Sequence, residues 1–244
     1  MKRNLLLLAL LLVITVISTP ASTAATIGET YSITLLSVSA IDNGSSTGDT
    51  VELDLQLRPG SGAIFIESYP LAQIDTQAVT RLAQELACGF STQDCAAYDF
   101  FYTIQADSPI VSGPSAGGAT AVLTLAALED IPLRSDIAMT GAISSGGIIT
   151  PVNGIRAKVE AAAIAGKDTV FIPALSLSEA DTTDPTNTSV NLQEYVTMQS
   201  LEQYDIKVQA VTYIEEVLAA ASTQPRETRL PRANVTPPDY YTET

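Results

Sequence analysis

The sequence predicts a mixed α+β domain, and three observations lead there. Residues 50–57 (Thr-Val-Glu-Leu-Asp-Leu-Gln-Leu) alternate polar and apolar with period two, as a half-buried strand does. Residues 119–128 are apolar on all sides, the mark of a buried helix. Further strands and helices then alternate without a regular βαβ repeat and without any recurring period of about 20–50 residues.

Taken in order, Met1-Lys2-Arg3, the apolar run Leu5–Ile17 and the small-residue stretch Ser18–Ala25 are the parts of a secretory signal peptide over residues 1–25. This run of 13 residues, apolar but for Thr15, falls short of the about 20 that span a bilayer. The alternative is an uncleaved anchor, and only then is a membrane a partner. Residues 26–221 are expected to form the domain. Strands fill residues 30–69, with Pro59-Gly60-Ser61-Gly62 turning the chain before Ala63–Ile66. Asp75 is placed to cap a helix running to Leu86, with Val79, Leu82 and Leu86 along one stripe. Tyr98–Asp107 reads as a strand and 108–118 as turn residues.

The buried helix Ala119–Leu128 follows, stopped by Pro132. Asp136–Ser144 reads as one strand, Ser145-Gly146-Gly147 as a turn and Ile148–Val152 as its partner. A helix runs from Ile155 to about Ala165 with Gly166 closing it. Thr169–Ile172 is a short buried strand, 181–189 a loop, and 192–204 a helix. Ile206–Val211 is a strand, and Thr212 with Glu215 makes a capping box for the last helix. Residues 222–244, rich in Pro and Thr and without periodicity, read as a disordered tail or linker.

Composition excludes several chemistries. The formal net charge is −15. Without residues 1–25, ten basic residues (12 less Lys2 and Arg3) face 27 acidic ones, which argues against nucleic acid and anionic membranes as partners. The chain has no histidine, so Ser-His-Asp triads, Cys-His dyads and His-ligated metals are impossible. Neither a metal nor another cofactor is expected. Cys88 and Cys95 can close a small loop as a disulfide in an oxidising compartment, or remain two thiols. No G-x-x-x-x-G-K-[ST] loop occurs, so ATP is not expected as a ligand.

Gly113-Pro114-Ser115-Ala116-Gly117 satisfies G-x-S-x-G, but its usual setting needs a downstream histidine. At the start of a buried helix, Ser115 would face unpaired amides and the positive dipole end, which suit an oxyanion. It could equally be a helix N-cap. A nucleophilic serine needs a base, and only Lys158, Lys167 and Lys207 remain as amines after residue 25. Lys167 and Lys207 sit in solvated settings. Lys158 shares a helix face with Ile155, Val159 and Ala162 at i, i+3, i+4 and i+7, while Arg156 and Glu160 can pair on the opposite side. A lysine base must fall from its reference value of about 10.4 to roughly 7–8, which desolvation achieves. The alternative is a lysine that snorkels to the surface.

Several segments in register resemble the proteolytic domain of Lon proteases. They are Gly113–Gly117, Met139-Thr140-Gly141, Pro151-Val-Asn-Gly-Ile-Arg-Ala-Lys158, Ala165-Gly-Lys-Asp-Thr-Val-Phe-Ile-Pro173 and, at the end, Tyr213–Leu218. Lys158 follows Ser115 by 43 positions, the spacing of that family's Ser-Lys dyad. The resemblance implies the Lon proteolytic fold, Ser115 as nucleophile, Lys158 as base and Thr140 as the residue orienting the lysine. Gly113, Pro114 and Ala116 would shape the oxyanion loop. It is strongest to small exported archaeal Lon-like proteins without an ATPase module. Ser112 stands where many Lon domains have Asp, and Ala142 where many have Glu.

The implied activity is ATP-independent, serine-type endopeptidase cleavage of peptides or unfolded proteins outside the cytoplasm. An inactive Lon-fold binding or scaffold protein is the alternative, and self-cleavage in the tail a third reading. Asn43, Asn187 and Asn234 begin N-x-[ST] sequons. The oligomeric state is not legible.

Overall fold

A computed structural model describes residues 25–40, 46–111, 113–174 and 205–224. Residues 1–24, the loop at 181–189, the helix at 192–204, Ser112, the three sequons and the tail beyond Gln224 lie outside the described residues.

The alternating segment at 50–57 belongs to β2 (Ser46–Pro59), which pairs antiparallel with β1 (Thr30–Ala40). Beyond the tight turn at 60–62 comes β3 (Ile64–Ala72), then α1 (Ile74–Phe90), and β4 (Tyr98–Val111) returns between β2 and β3. α2 (Gly117–Leu128) leads to β5 (Ile137–Met139). A small hairpin, β6 (Ala142–Ser144) with β7 (Ile148–Thr150), then precedes α3 (Ile155–Ile164). β8 (Thr169–Pro173), β9 (Lys207–Val211) and α4 (Ile214–Ala221) complete the described chain. The main sheet has the order β3-β4-β2-β1-β5-β8-β9.

Alternation along the strands divides the core in two. Tyr31, Ile33 and Leu35 of β1, the odd-numbered residues 51–57 of β2, and Phe100, Tyr102 and Ile104 of β4 share one cluster with α1, α2 and α4. Leu36, Ala138, Val170 and Ile172 point the other way and pack with Ile155, Val159 and Ala162 of α3. Every residue of α2 is buried, as a sequence apolar apart from two threonines allows. Its two threonines spend their hydroxyls internally. Thr120 donates to Ala116 O (2.9 Å) and Thr124 to Thr120 O (2.6 Å). Tyr102 Oη lies 2.7 Å from Thr124 Oγ1 and must be the donor there, because Thr124 has already spent its single proton.

Five details depart from the sequence-based expectation. α1 continues to Phe90 and buries Ala83, while Leu82 is 42 % exposed, so the stripe runs one residue away from Leu82. Gln73, not Asp75, occupies the N-cap position, and Asp75 lies in the first turn. β4 reaches Val111 through Ser108-Pro109, because pairing with β2 ends at Ala106 and a strand held on one side tolerates proline. The capping box does not form. Glu216, not Glu215, reaches back, its Oε2 accepting Thr212 N–H at 3.0 Å, and the helix starts at Ile214 after Tyr213. Finally, Asp136–Ser144 is not one strand, since it breaks at Thr140–Gly141 between β5 and β6.

Cys88 and Cys95 are joined by a disulfide that ties the last turns of α1 to the turn at 95–97. The turn before β3 is fastened by Asp99 Oδ1, which accepts Ser61 N–H (2.8 Å) and Ala63 N–H (3.0 Å). Those bonds hold the Asp99 carboxyl below the usual carboxylate range. A lowered folded-state value stabilises the fold above the unfolded value and loses that contribution as pH falls through the folded one. Asp99→Ala should therefore melt earlier than wild type at pH 7. The gap should persist to about pH 4 and close on further acidification. Thermal melts at stepped pH check this, and a gap independent of pH would show that the ionised form is not what fastens the turn.

Candidate active site

Two helices on opposite faces of the sheet begin at the same end of it. β5 ends at Met139 beside Leu35 of β1, and Thr140–Gly141 then leaves the sheet. This short segment is fastened on several sides. Thr140 N–H donates to Phe171 O of β8 at 3.1 Å, and Gly141 N–H to Ser115 O at 3.0 Å. Gly141 O accepts Gly118 N–H at 2.9 Å. α2 therefore starts against the break in the strand, which ladder pairing would have prevented.

Ser115 is half-buried in a 3-10 turn, Pro114–Ala116, immediately before α2. Ala116 holds the N-cap position of α2, so Ser115 is not its cap. Gly113 precedes the turn at φ 102°, a conformation glycine adopts readily. Its N–H donates to Asp75 Oδ2 at 2.8 Å. Pro114 has no N–H, and Gly117 N–H donates to Pro114 O. The amides of Gly113, Gly117 and Gly118 are thus committed within the fold.

Lys158 lies in the first turns of α3 and is 2 % exposed, so its amine does not snorkel to solvent. Nζ donates to Thr140 Oγ1 at 3.1 Å, and Thr140 is itself fully buried. Ile155, Val159 and Ala162 are buried with it, while Arg156 and Glu160 pair outside at 3.2 Å, as the helical spacing requires. Ser115 and Lys158 thus converge on neighbouring residues, one through the backbone at Gly141 and the other through the side chain of Thr140. The other two amines stand apart: Lys207 is exposed, and Lys167 Nζ donates to Ser135 O at 2.9 Å. Ala142 opens β6 opposite Thr150 and is half-buried.

Gly48 carries no signal in the sequence pattern, because it sits in a polar stretch that resembles any turn. A Cβ at this position of β2 would fall 2.0 Å from Ala157 O, so glycine is what lets α3 lie against the strand. Asp75 does not cap α1 but reaches the turn that carries Ser115.

Comparison with known proteins finds similarity over this part of the chain. Residues 108–224 match the Lon protease (S16) C-terminal proteolytic domain. An archaeal Lon protease of Halobacterium salinarum is 35 % identical over 118 residues, covering 48 % of this chain and 14 % of that protein. That of Pyrococcus abyssi is 31 % identical over 134 residues, 53 % of this chain and 13 % of the relative. That of Methanothermobacter thermautotrophicus is 34 % identical over 115 residues, with 47 % and 18 % covered. The chain spans less than a fifth of the length of these curated relatives.

Gly48→Ala should force α3 away from β2, at about 1–3 kcal/mol for an overpacked contact. A domain of this size loses about 2–4 °C of melting temperature per kcal/mol. The expected outcome is a melting point lower by several degrees and faster hydrogen exchange in the first turns of α3. Unchanged exchange there would mean that α3 is not seated on Gly48.

Proposed function

We propose, from the match of residues 108–224 to the Lon protease (S16) C-terminal proteolytic domain, a serine endopeptidase with Ser115 as nucleophile and Lys158 as general base, acting without ATP. One observation carries this reading. The buried Lys158 amine is held by Thr140 on the segment whose next residue, Gly141, is hydrogen-bonded to Ser115. Burial disfavours a charged amine, and so does the first turn of a helix, where the dipole is positive. Both effects favour the neutral amine, whose lone pair can accept a proton.

In this mechanism Lys158 Nζ takes the proton of Ser115 Oγ as the oxygen attacks the peptide carbonyl. The C=O electron pair moves to oxygen, and backbone amides around Ser115 receive the resulting oxyanion. Collapse breaks the C–N bond, Lys158 returns its proton to the leaving amine, and an acyl-serine remains. Lys158 then deprotonates a water that hydrolyses the ester, and the serine regains its proton. Thr140 keeps the amine aimed, through the hydroxyl that accepts from it.

The substrate in this reading is an extended peptide or unfolded protein, whose backbone can pair with a strand edge. The domain works outside the cytoplasm, a reading supported by the charged, apolar and small-residue order of residues 1–25 and by the Cys88–Cys95 disulfide. A binding or scaffold role is the second reading, motivated by Ser112 and Ala142 at positions where Lon domains often carry acids.

The decisive test is cleavage of unfolded casein without ATP by wild type, Ser115→Ala and Lys158→Ala. Wild type should cleave, and both variants should lose at least about 10³-fold in rate, since loss of either partner removes the activated nucleophile. Both should keep wild-type circular dichroism. An inert wild type that still binds casein would favour the scaffold role, and an active Ser115→Ala would refute the nucleophile assignment.

A further inference from the structure

We propose that Asp75 is a positioning residue for the nucleophile turn, an inference that rests on Ser115 being the nucleophile. The turn is clamped at two points on either side of Pro114. On one side Ser115 O accepts Gly141 N–H at 3.0 Å, and on the other Gly113 N–H donates to Asp75 Oδ2 at 2.8 Å. The two clamps come from different elements, the break after β5 and the first turn of α1.

Asp75 is itself fixed. Its second oxygen accepts Thr76 N–H at 2.8 Å, so the carboxylate is held between its own helix and the loop. α1 in turn is held against the start of α2. Thr76 and Val79 are buried, and a Cβ at Gly117 would lie 2.8 Å from Val79 Cγ2. The Asp75 side chain is exposed, so its place is not dictated by core packing. What it does is occupy the N–H of a residue at φ 102°, two positions before Ser115. Gly113 is free to swing at such angles, because it has no Cβ to restrict it. Nor does open space around Gly113 restrain it, since a Cβ there would meet nothing within 4 Å. The hydrogen bond to Asp75 supplies the restraint that packing does not.

The rate consequence follows from geometry. A nucleophile about 1 Å out of place loses up to about 10²-fold in reactivity even when substrate still binds. Asp75 thus acts on turnover through the aim of Ser115, and it neither touches substrate nor exchanges protons with it.

The test compares wild type, Asp75→Ala and Asp75→Asn, with Ser115→Ala alongside. Two readouts are taken: hydrogen exchange at the Gly113 amide, and kcat and KM on a fluorogenic peptide taken from a mapped casein cleavage site. Asp75→Ala should speed Gly113 exchange while the amides of α2 beyond Thr120 keep their protection. It should also lower kcat by about 10- to 100-fold with KM within about twofold. Asp75→Asn keeps one oxygen able to accept from Gly113, so it should recover most of the lost kcat. Unchanged Gly113 exchange in Asp75→Ala would overturn the proposal. So would faster exchange with unaltered kcat, or an Asp75→Asn variant as impaired as Asp75→Ala. The exchange readout needs no activity. A protein in which Ser115→Ala still cleaves would therefore overturn the nucleophile assignment while leaving the Asp75 clamp measured on its own terms.

Discussion

The buried amine of Lys158 is the constraint around which the site end of this fold is arranged. A charged or polar group taken from water and left without a partner costs several kcal/mol, so a lysine at 2 % exposure must be met by acceptors. Thr140 Oγ1 is one. For that hydroxyl to be there, β5 must end at Met139 and the chain must leave the sheet. The same departure frees Gly141 to exchange hydrogen bonds with Ser115 and Gly118 at the start of α2. One two-residue break therefore serves both the lysine and the serine turn. Moving it along the strand by one residue would exchange the faces on which the side chains fall.

The two partners are carried by different packing units. α2 belongs to the larger cluster, wholly buried and with its threonine hydroxyls turned to its own backbone, so its first turn is rigidly held. Its far end is secured by Glu129, whose carboxylate accepts from Ser91 Oγ (2.6 Å) and Thr92 N–H (2.8 Å) just past α1. A carboxylate at a helix C-terminus opposes the dipole by about 0.3–1 kcal/mol. Hydrogen bonds to a charged group are worth about 1.5–3 kcal/mol each, so the pinning wins. α3, by contrast, rests on the smaller cluster across the sheet, seated at Gly48.

Much of this was legible in the residues. The 3.6-residue period placed Lys158 among Ile155, Val159 and Ala162, and the structure buries all four. The apolar run at 119–128 gave α2, and period two gave β2, because burial on one face or on all faces is written directly into side-chain order. What pattern could not show was backbone and side-chain bonding at a distance. Asp136–Ser144 reads as one strand because nothing in its apolar content marks the hydrogen bonds that Gly141 makes to residues 115 and 118. Hydropathy alone places Leu82 inward, yet the buried face of α1 runs through small Ala83, and Leu82 is left outside. Asp75 and Gly48 carry no local signal for their roles, since each acts on a segment more than 35 residues away.

The division of the site between two clusters bears on how it can be disturbed. Loss of volume in the larger core would act first on α2 and the serine turn, whereas a change at Gly48 or Leu36 would act on α3 and the lysine. Substitutions in different clusters, well separated and without shared partners, should add in their effect on stability. In the proposed dyad their effects on reactivity should not add, because a pair displaced from either side is already misaligned and a second displacement finds less rate to remove. Thr140–Gly141 is the exception. It bonds to Lys158 by its side chain and to Ser115 by its backbone, so a change there reaches both partners at once. Stability and reactivity should consequently diverge everywhere except at this break, where the bonds that hold the fold's edge also set the aim of the site.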